Sequence, residues 1–222
     1  MRDFDDLNWL GHASFFFTDK NGKKIYFIDP FQLGDRSLDK ADVIFITHAH
    51  PDHFSQNDID KIIKNDTVIV APPDILAKIS IENERKVEVS PNRKYEVKKF
   101  SFQTIPAYNN KPERLNFHPQ KNNWVGYIFN LNGKKIYHAG DTDFIEEMKA
   151  LKDLNLDVAM LPIGGTYTMH ADEAAEAANA IGARITIPMH YKNVLGQAHL
   201  DAEKTFKELV TNSKVVILEE LK

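Results

Sequence analysis

Apolar residues recur along the 222-residue chain in short runs bounded by Gly, Asn, Asp and Pro, the pattern of a strand-rich protein. The first run covers 7–18, interrupted at Gly11-His12 and weighted by Phe15-Phe16-Phe17. Asn21-Gly22 then signals a type I′ turn into 24–28, so two strands form a hairpin that Asp29-Pro30 ends. Residues 41–46 form a buried strand, 57–63 carry helical spacing, 67–71 form a second buried strand, and Pro73-Asp74 opens a helix through Ile79. Strands follow near 86–89, 99–106 and 124–130. Between the last two lies a polar, irregular stretch, 108–120, and loops of that length inside a domain usually serve function.

Asn132-Gly133 sets a second tight hairpin leading into 135–139 and then Gly140-Asp141-Thr142. Asp143 is read as the cap of the next helix, with Glu146 three residues on, and that helix runs to about Leu151. A buried strand at 157–161 precedes an alanine-rich helix over 171–181, with Asp172 and Glu173 in its first turn and Gly182 as its stop. A strand at 184–188, a helix at 201–210 and a closing strand at 214–218 complete the chain. Hairpins first and strand–helix alternation later describe an α/β (α+β) protein of two packed sheets with helices outside, read as one domain over 1–222.

Composition narrows the chemistry. Hydrophobic residues at 42% and charged residues at 27% fit a soluble globular chain and exclude disordered or fibrous classes. A net charge of −4 disfavours a nucleic-acid partner, which needs a basic excess to displace counterions from phosphates. There is no cysteine, which removes disulfides, thiolate zinc sites and thiol catalysis, so any metal is held by His, Asp or Glu. Residues 1–6 are acidic with no apolar signal core, and no run approaches the roughly 20 apolar residues of a membrane span. The expectation is a cytoplasmic protein with a small-molecule substrate and no membrane partner; oligomerisation is left open.

The apolar run 42–46 empties into Thr47-His48-Ala49-His50-Pro51-Asp52-His53, three histidines and a carboxylate within six residues. Residues two apart on a strand share a side, so His48 and His50 can address one ion, while Asp52 and His53 on the following turn reach a second. Imidazole and carboxylate are ligands for zinc, manganese or iron.

This motif and its place after an apolar strand resemble the metallo-β-lactamase superfamily of metal-dependent hydrolases. Trp9-Leu10-Gly11-His12-Ala13-Ser14, Tyr137-His138-Ala139-Gly140-Asp141-Thr142 and Leu161-Pro162-Ile163-Gly164-Gly165 are similar to the branch containing the ascorbate-phosphate lactonase. The likeness runs on to Pro188-Met189-His190-Tyr191 and so covers essentially the whole chain. It implies an αββα four-layer sandwich of two mixed β-sheets flanked by helices, and two divalent metal ions, zinc first with manganese or iron as alternatives. On this reading His48, His50 and His118 hold one ion, Asp52, His53 and His190 hold the other, and Asp141 bridges them. Such a pair acidifies a bridging water and polarises the oxygen under attack, with Asp52 orienting the hydroxide and His12 as a further catalytic candidate. No Gly-x-Ser-x-Gly elbow competes. The long loop and 164–169 would line the substrate pocket, the paired glycines offering N–H groups to an anion, with Tyr108, Asn109, Tyr167, His170 and Tyr191 as contacts. The implied reaction is hydrolysis of a small, anionic ester, lactone or phosphodiester. A nuclease-type phosphodiesterase, and a diiron redox or metal-binding protein on the same fold, are the alternatives.

Overall fold

The computed structural model describes residues 7–20, 22 and 24–222. They divide into two units, one comprising the chain up to Val89 together with Glu219–Lys222, the other Ser90–Leu218. The first is a six-stranded sheet in the order β1 (Leu7–Gly11), β2 (Ser14–Thr18), β3 (Ile25–Ile28), β4 (Val43–Phe45), β5 (Val68–Ala71) and β6 (Lys86–Glu88). Its first two junctions are antiparallel and the other three parallel. The single run expected over 7–18 is therefore a hairpin. Gly11 (φ 103°) and His12 (φ 51°) turn the chain, and Trp9 Nε1 pins the turn by donating to the His12 carbonyl at 3.0 Å. In the next hairpin Gly22 N–H donates to the Asp19 carbonyl at 2.8 Å; Asn21, half of the expected turn pair, lies outside the described residues.

Phe27, Ile44 and Ile69 pair side by side on β3, β4 and β5. They pack in one apolar cluster with Ile59 and Ile62 of α1 (Gln56–Ile62) and with Ile75 and Leu76 of α2 (Pro73–Leu76). The alternate residues Tyr26, Val43, Phe45 and Val70 are equally buried. Both faces of these strands are thus shielded, which is why they read as continuous apolar runs rather than alternating ones. Each fully buried Phe or Ile here contributes about 1.5–3 kcal/mol of transfer free energy. The Ser55 hydroxyl starts α1 by accepting from Asp58 N at 3.3 Å.

The second unit is a seven-stranded sheet formed by β7 (Lys94–Val97), β8 (Phe100–Pro106), β9 (Val125–Leu131), β10 (Lys134–His138), β11 (Val158–Pro162), β12 (Ile185–Met189) and β13 (Lys214–Val215), in spatial order from β13 back to β7. Junctions from β7 to β10 are antiparallel and those from β10 to β13 parallel. Asn132 (φ 52°) and Gly133 (φ 80°) make the tight β9–β10 turn that the sequence announces. Between β7 and β8 the same positive angles fall on Lys98 (φ 47°) and Lys99 (φ 66°), residues without a turn signature, so the pattern misses β7. The closing strand shrinks to two residues, and the expected strand over 41–46 to three.

In place of the α-helix expected from Asp143 to about Leu151, residues Glu146–Leu154 form 3₁₀ turns. Their buried residues explain it: Ile145, Met148 and Leu151 recur every three positions, the period that stacks side chains in a 3₁₀ helix. In α3 (Ala171–Ile181) the buried positions are Ala171, Ala174, Ala175, Ala177, Ala178 and Ile181, a small-residue face that packs closely on β11 and on α5 (His199–Leu209), which follows the single turn α4 (Lys192–Leu195). Gly182 (φ 63°) ends α3 as its composition predicts. Both sheets are mixed and both carry helices, in accord with the expected α/β class. Among the described residues no helix is long and apolar enough to cross a membrane.

Candidate metal centre

In the first unit the parallel strands β3 and β4 end side by side, and Asp29 ties together the segments that leave them. With φ 46° it donates its N–H to the Phe45 carbonyl at 2.9 Å and turns a fully buried carboxylate toward the exit of β4. Its Oδ1 accepts from Thr47 N at 2.8 Å, and its Oδ2 from Thr47 Oγ1 and His53 Nδ1, both at 2.7 Å. An ionised carboxylate only accepts, so His53 carries a proton on Nδ1 and offers Nε2 as its ligand nitrogen. The Thr47 hydroxyl, its hydrogen directed to Asp29, accepts from His48 Nδ1 at 2.9 Å and fixes that ring the same way. His48 Nε2 lies 3.0 Å from His50 Nδ1, and the His48 and His53 ring centroids are 4.0 Å apart. His12 Nε2 meets Asp52 Oδ2 at 3.0 Å, and the donor atoms of His12, Asp52 and His53 all lie within 4.8 Å of one another.

Strand alternation is not what aims these imidazoles. β4 stops at Phe45, before His48, and a tight turn takes over in which His53 N and Phe54 N both donate to the His50 carbonyl, at 3.0 and 2.8 Å.

In the second unit β10 and β12 are parallel, flank β11, and exit at the same end of the sheet, where α/β folds gather their functional residues. Asp141 follows β10 through a turn at Gly140 (φ 65°), and His190 (φ 55°) follows β12. A Cβ on Gly164 would come within 2.2 Å of the His190 carbonyl oxygen, so only glycine admits that close approach. Asp141 Oδ2 lies 3.0 Å from His190 Nε2 and 3.3 Å from His118 Nε2, and all three residues are buried.

His118 arrives from the long loop, which is anything but loose. Asn109 Oδ1 accepts from His118 Nδ1 at 2.8 Å and from His118 N at 3.0 Å. Asp143 gathers Asn109 Nδ2, Asn110 N, Lys111 N and Arg114 Nε, at 3.1, 2.8, 3.0 and 2.9 Å. Arg114 in turn grips Glu173 with two bonds of 2.8 and 2.6 Å and donates to the Thr168 carbonyl at 2.7 Å. Asp143, expected as a helix cap, is thus the anchor of the loop; the 3₁₀ stretch after it begins from Ile145. Burial alone pushes the Glu173 carboxyl up, but the Arg114 bonds and the His170 N–H outweigh it and hold the group below the usual carboxylate range.

The residues expected to touch substrate take varied places. Tyr108 donates to Glu147 Oε2 at 3.1 Å, and burial, reinforced by that carboxylate, pushes its hydroxyl pKa up. With Asn109, Asn110, Leu115, Pro119, Gln120 and Lys121 it borders an open cleft of about 440 Å³. Tyr167 is 43% exposed and stands edge-on to Phe117, centroids 4.9 Å apart. His170 caps α3, its ring lying where a Cβ on Gly165 would come within 2.4 Å of Nδ1. The Gly165 N–H, expected to face an anion, bonds to the Met169 carbonyl at 2.9 Å, so the paired glycines serve close packing. Tyr191 is buried and donates to Glu203 Oε1 at 2.6 Å.

Asp29, Thr47, Arg114 and Glu173 have no ligand role in the sequence reading, yet they hold the ligand-bearing segments. Asp29-Pro30 reads only as a strand end and Thr47 only as the lead-in to the His-rich turn; their role arises from the β3–β4 pairing. The donor set suits a divalent cation: the Nδ1 atoms of His48, His53 and His118 each meet an oxygen acceptor, which leaves Nε2 to a metal, and carboxylates stand among them.

A family model described as the β-lactamase superfamily domain matches residues 6–190. The chain is 36% identical over 224 residues to the UPF0173 metal-dependent hydrolase of Pyrococcus abyssi, covering 96% of this chain and 95% of that one. It is 34% identical over 223 residues to the UPF0173 metal-dependent hydrolase of Thermoplasma acidophilum, covering 96% and 94%. The crystal structure of a candidate metal-dependent hydrolase from Parabacteroides distasonis superposes with a TM-score of 0.84 at 31% identity, over 97% of this chain and 93% of that chain.

Proposed function

The chain belongs to the β-lactamase superfamily, as a metal-dependent hydrolase, and on that premise we propose that His48, His50, Asp52, His53, His118, Asp141 and His190 are its metal ligands and hold two divalent ions. The observation that carries the reading is the buried Asp29–Thr47 pair, which directs the Nδ1 protons of two neighbouring histidines so that both offer Nε2. Carboxylate–imidazole pairing of this kind orients ligand rings and raises their basicity. A bridging role for Asp141 is supported by its Oδ2, which is within reach of the Nε2 atoms of both His118, at 3.3 Å, and His190, at 3.0 Å. With no cysteine in the chain and a set of imidazoles and carboxylates, the site suits zinc, with manganese or iron as alternatives.

Bound ions of this kind supply an acidified water and polarise the oxygen of the bond under attack. Asp52 orients that water through its carboxylate, and His12, with Nε2 at 3.0 Å from Asp52 Oδ2, keeps the carboxylate in place. The cleft beside Asn109 suits a small anionic ester, lactone or phosphodiester: Asn110 and Gln120 offer amides to its oxygens and Lys121 a cation to its charge. Elemental analysis after reconstitution tests the reading. About two ions per chain are expected in the wild type, with loss of metal and of hydrolysis across a panel of lactones, phosphodiesters and esters in both His50→Ala and Asp141→Ala. A wild type that holds no metal, or three proteins of equal content, would overturn it.

A further inference from the structure

We propose that Asn109 is the positioning residue of His118, fixing its imidazole as the Nδ1–H tautomer so that Nε2 is the nitrogen offered to a metal ion. The role rests on the metal-ligand reading of His118; the tautomer does not. Which way the Asn109 amide points follows from chemistry. On one side stand Asp143 Oδ1 and the Tyr167 carbonyl, each at 3.1 Å, and both can only accept. The NH₂ group must face them, which turns Oδ1 toward His118. There Oδ1 accepts from the backbone N–H at 3.0 Å and sits 2.8 Å from Nδ1. An amide oxygen cannot donate, so Nδ1 carries the hydrogen and the lone pair of the neutral ring is on Nε2. That nitrogen faces Asp141 Oδ2 at 3.3 Å.

The clamp is rigid because it is closed twice. Asn109 N also donates to the His118 carbonyl at 2.8 Å, tying the two ends of the loop by backbone as well as side chain. Asn109 is only 2% exposed, so water does not compete for its oxygen. Asp143 is held in turn by Arg114 and by the Asn110 and Lys111 N–H groups, which keeps the amide from rotating. The arrangement is the neutral counterpart of the Asp29–His53 pair, with an amide in place of a carboxylate.

The test reads the tautomer directly. Long-range ¹H–¹⁵N correlation spectra of the full-length, metal-free protein, at a pH where the imidazoles are neutral and with His118 assigned through His118→Gln, report which ring nitrogen bears hydrogen. The wild type is expected to show the Nδ1–H form alone. Asn109→Leu, which removes the acceptor, is expected to lose that single form and to bind zinc about ten- to a hundredfold more weakly in chelator competition. Asn109→Asp keeps an acceptor and is expected to keep the tautomer while unfolding more readily, since its carboxylate abuts Asp143. An Nε2–H or mixed wild-type ring, or an Asn109→Leu protein unchanged in both tautomer and zinc affinity, overturns the proposal. If Asn109→Leu does not fold, the wild-type and Asn109→Asp spectra still decide the tautomer. A wild type with the Nδ1–H form that binds no zinc overturns the metal reading instead and removes the ligand role from His118.

Discussion

At Asp29 a left-handed backbone and an acceptor for three hydrogens coincide. Asn tolerates that φ nearly as well as Asp does, so Asp29→Asn isolates the side chain from the backbone. Whichever way the new amide turns, its NH₂ faces either the Thr47 N–H or the pair formed by the Thr47 hydroxyl and His53 Nδ1–H. A buried donor is then set against a donor. Expected is a loss of about 1.5–3 kcal/mol in urea unfolding, together with weaker zinc binding, whereas Thr47→Ser, which keeps the hydroxyl, should change little. An unfolding midpoint that Asp29→Asn leaves untouched would deny Asp29 its orienting role. The residue also marks how far a sequence speaks for a site. His48, His50 and His53 stand out because an imidazole cluster has few other uses. Asp29 and Thr47 do the orienting from positions that look like a strand end and the lead-in to a turn, and only parallel pairing between β3 and β4 brings them to the rings.

Among the elements, the 108–120 loop departs furthest from its appearance in sequence. It is polar and irregular, yet Asp143, Arg114 and Glu173 pin it to the start of α3. The pH behaviour of Glu173 measures that pinning. Its folded pKa is depressed, the Arg114 and His170 bonds prevailing over burial. The stabilisation is therefore complete above the unfolded value of about 4.3 and is lost as the pH falls through the folded one. Glu173→Gln should be less stable than wild type at neutral pH, and the gap should close as the pH is lowered into the acid range; a gap that stays constant with pH would mean that the ion pair is not what holds the loop. The β9–β10 hairpin and α3 were legible because their residues have few alternatives: Asn132-Gly133 in a turn, Gly182 after a helix. The β7–β8 turn was not, because two lysines occupy its left-handed positions. Nor was the 3₁₀ stretch, whose three-residue period lies close enough to 3.6 to pass for an α-helix over nine residues.

For the molecule as a whole, connectivity matters as much as composition. The chain leaves the first unit after Val89 and returns to it at Glu219. There the returning segment runs along β1, an edge strand: Trp9 bridges to Glu220 in parallel, and Leu221 N donates to the Trp9 carbonyl at 2.8 Å. Arg36 secures it from outside, donating to the Leu221 carbonyl at 2.6 Å and pairing with the Glu220 carboxylate. The Glu220 carboxyl also lies 2.9 Å from where a Cβ on Gly11 would stand, so the segment packs against the β1–β2 turn that carries His12. An uncovered edge strand exposes unpaired N–H and C=O groups and invites pairing with another chain. Removing residues 219–222 should therefore lower stability by about 1–3 kcal/mol and raise self-association in sedimentation velocity, while leaving metal content per chain unchanged, because none of the seven proposed ligands lies in the deleted segment. A truncated protein with the wild-type unfolding midpoint and sedimentation would show that β1 does not need this cover. Loss of metal along with stability would instead mean that the β1–β2 turn and its His12 are coupled to the ligand set more tightly than the His12–Asp52 contact alone implies.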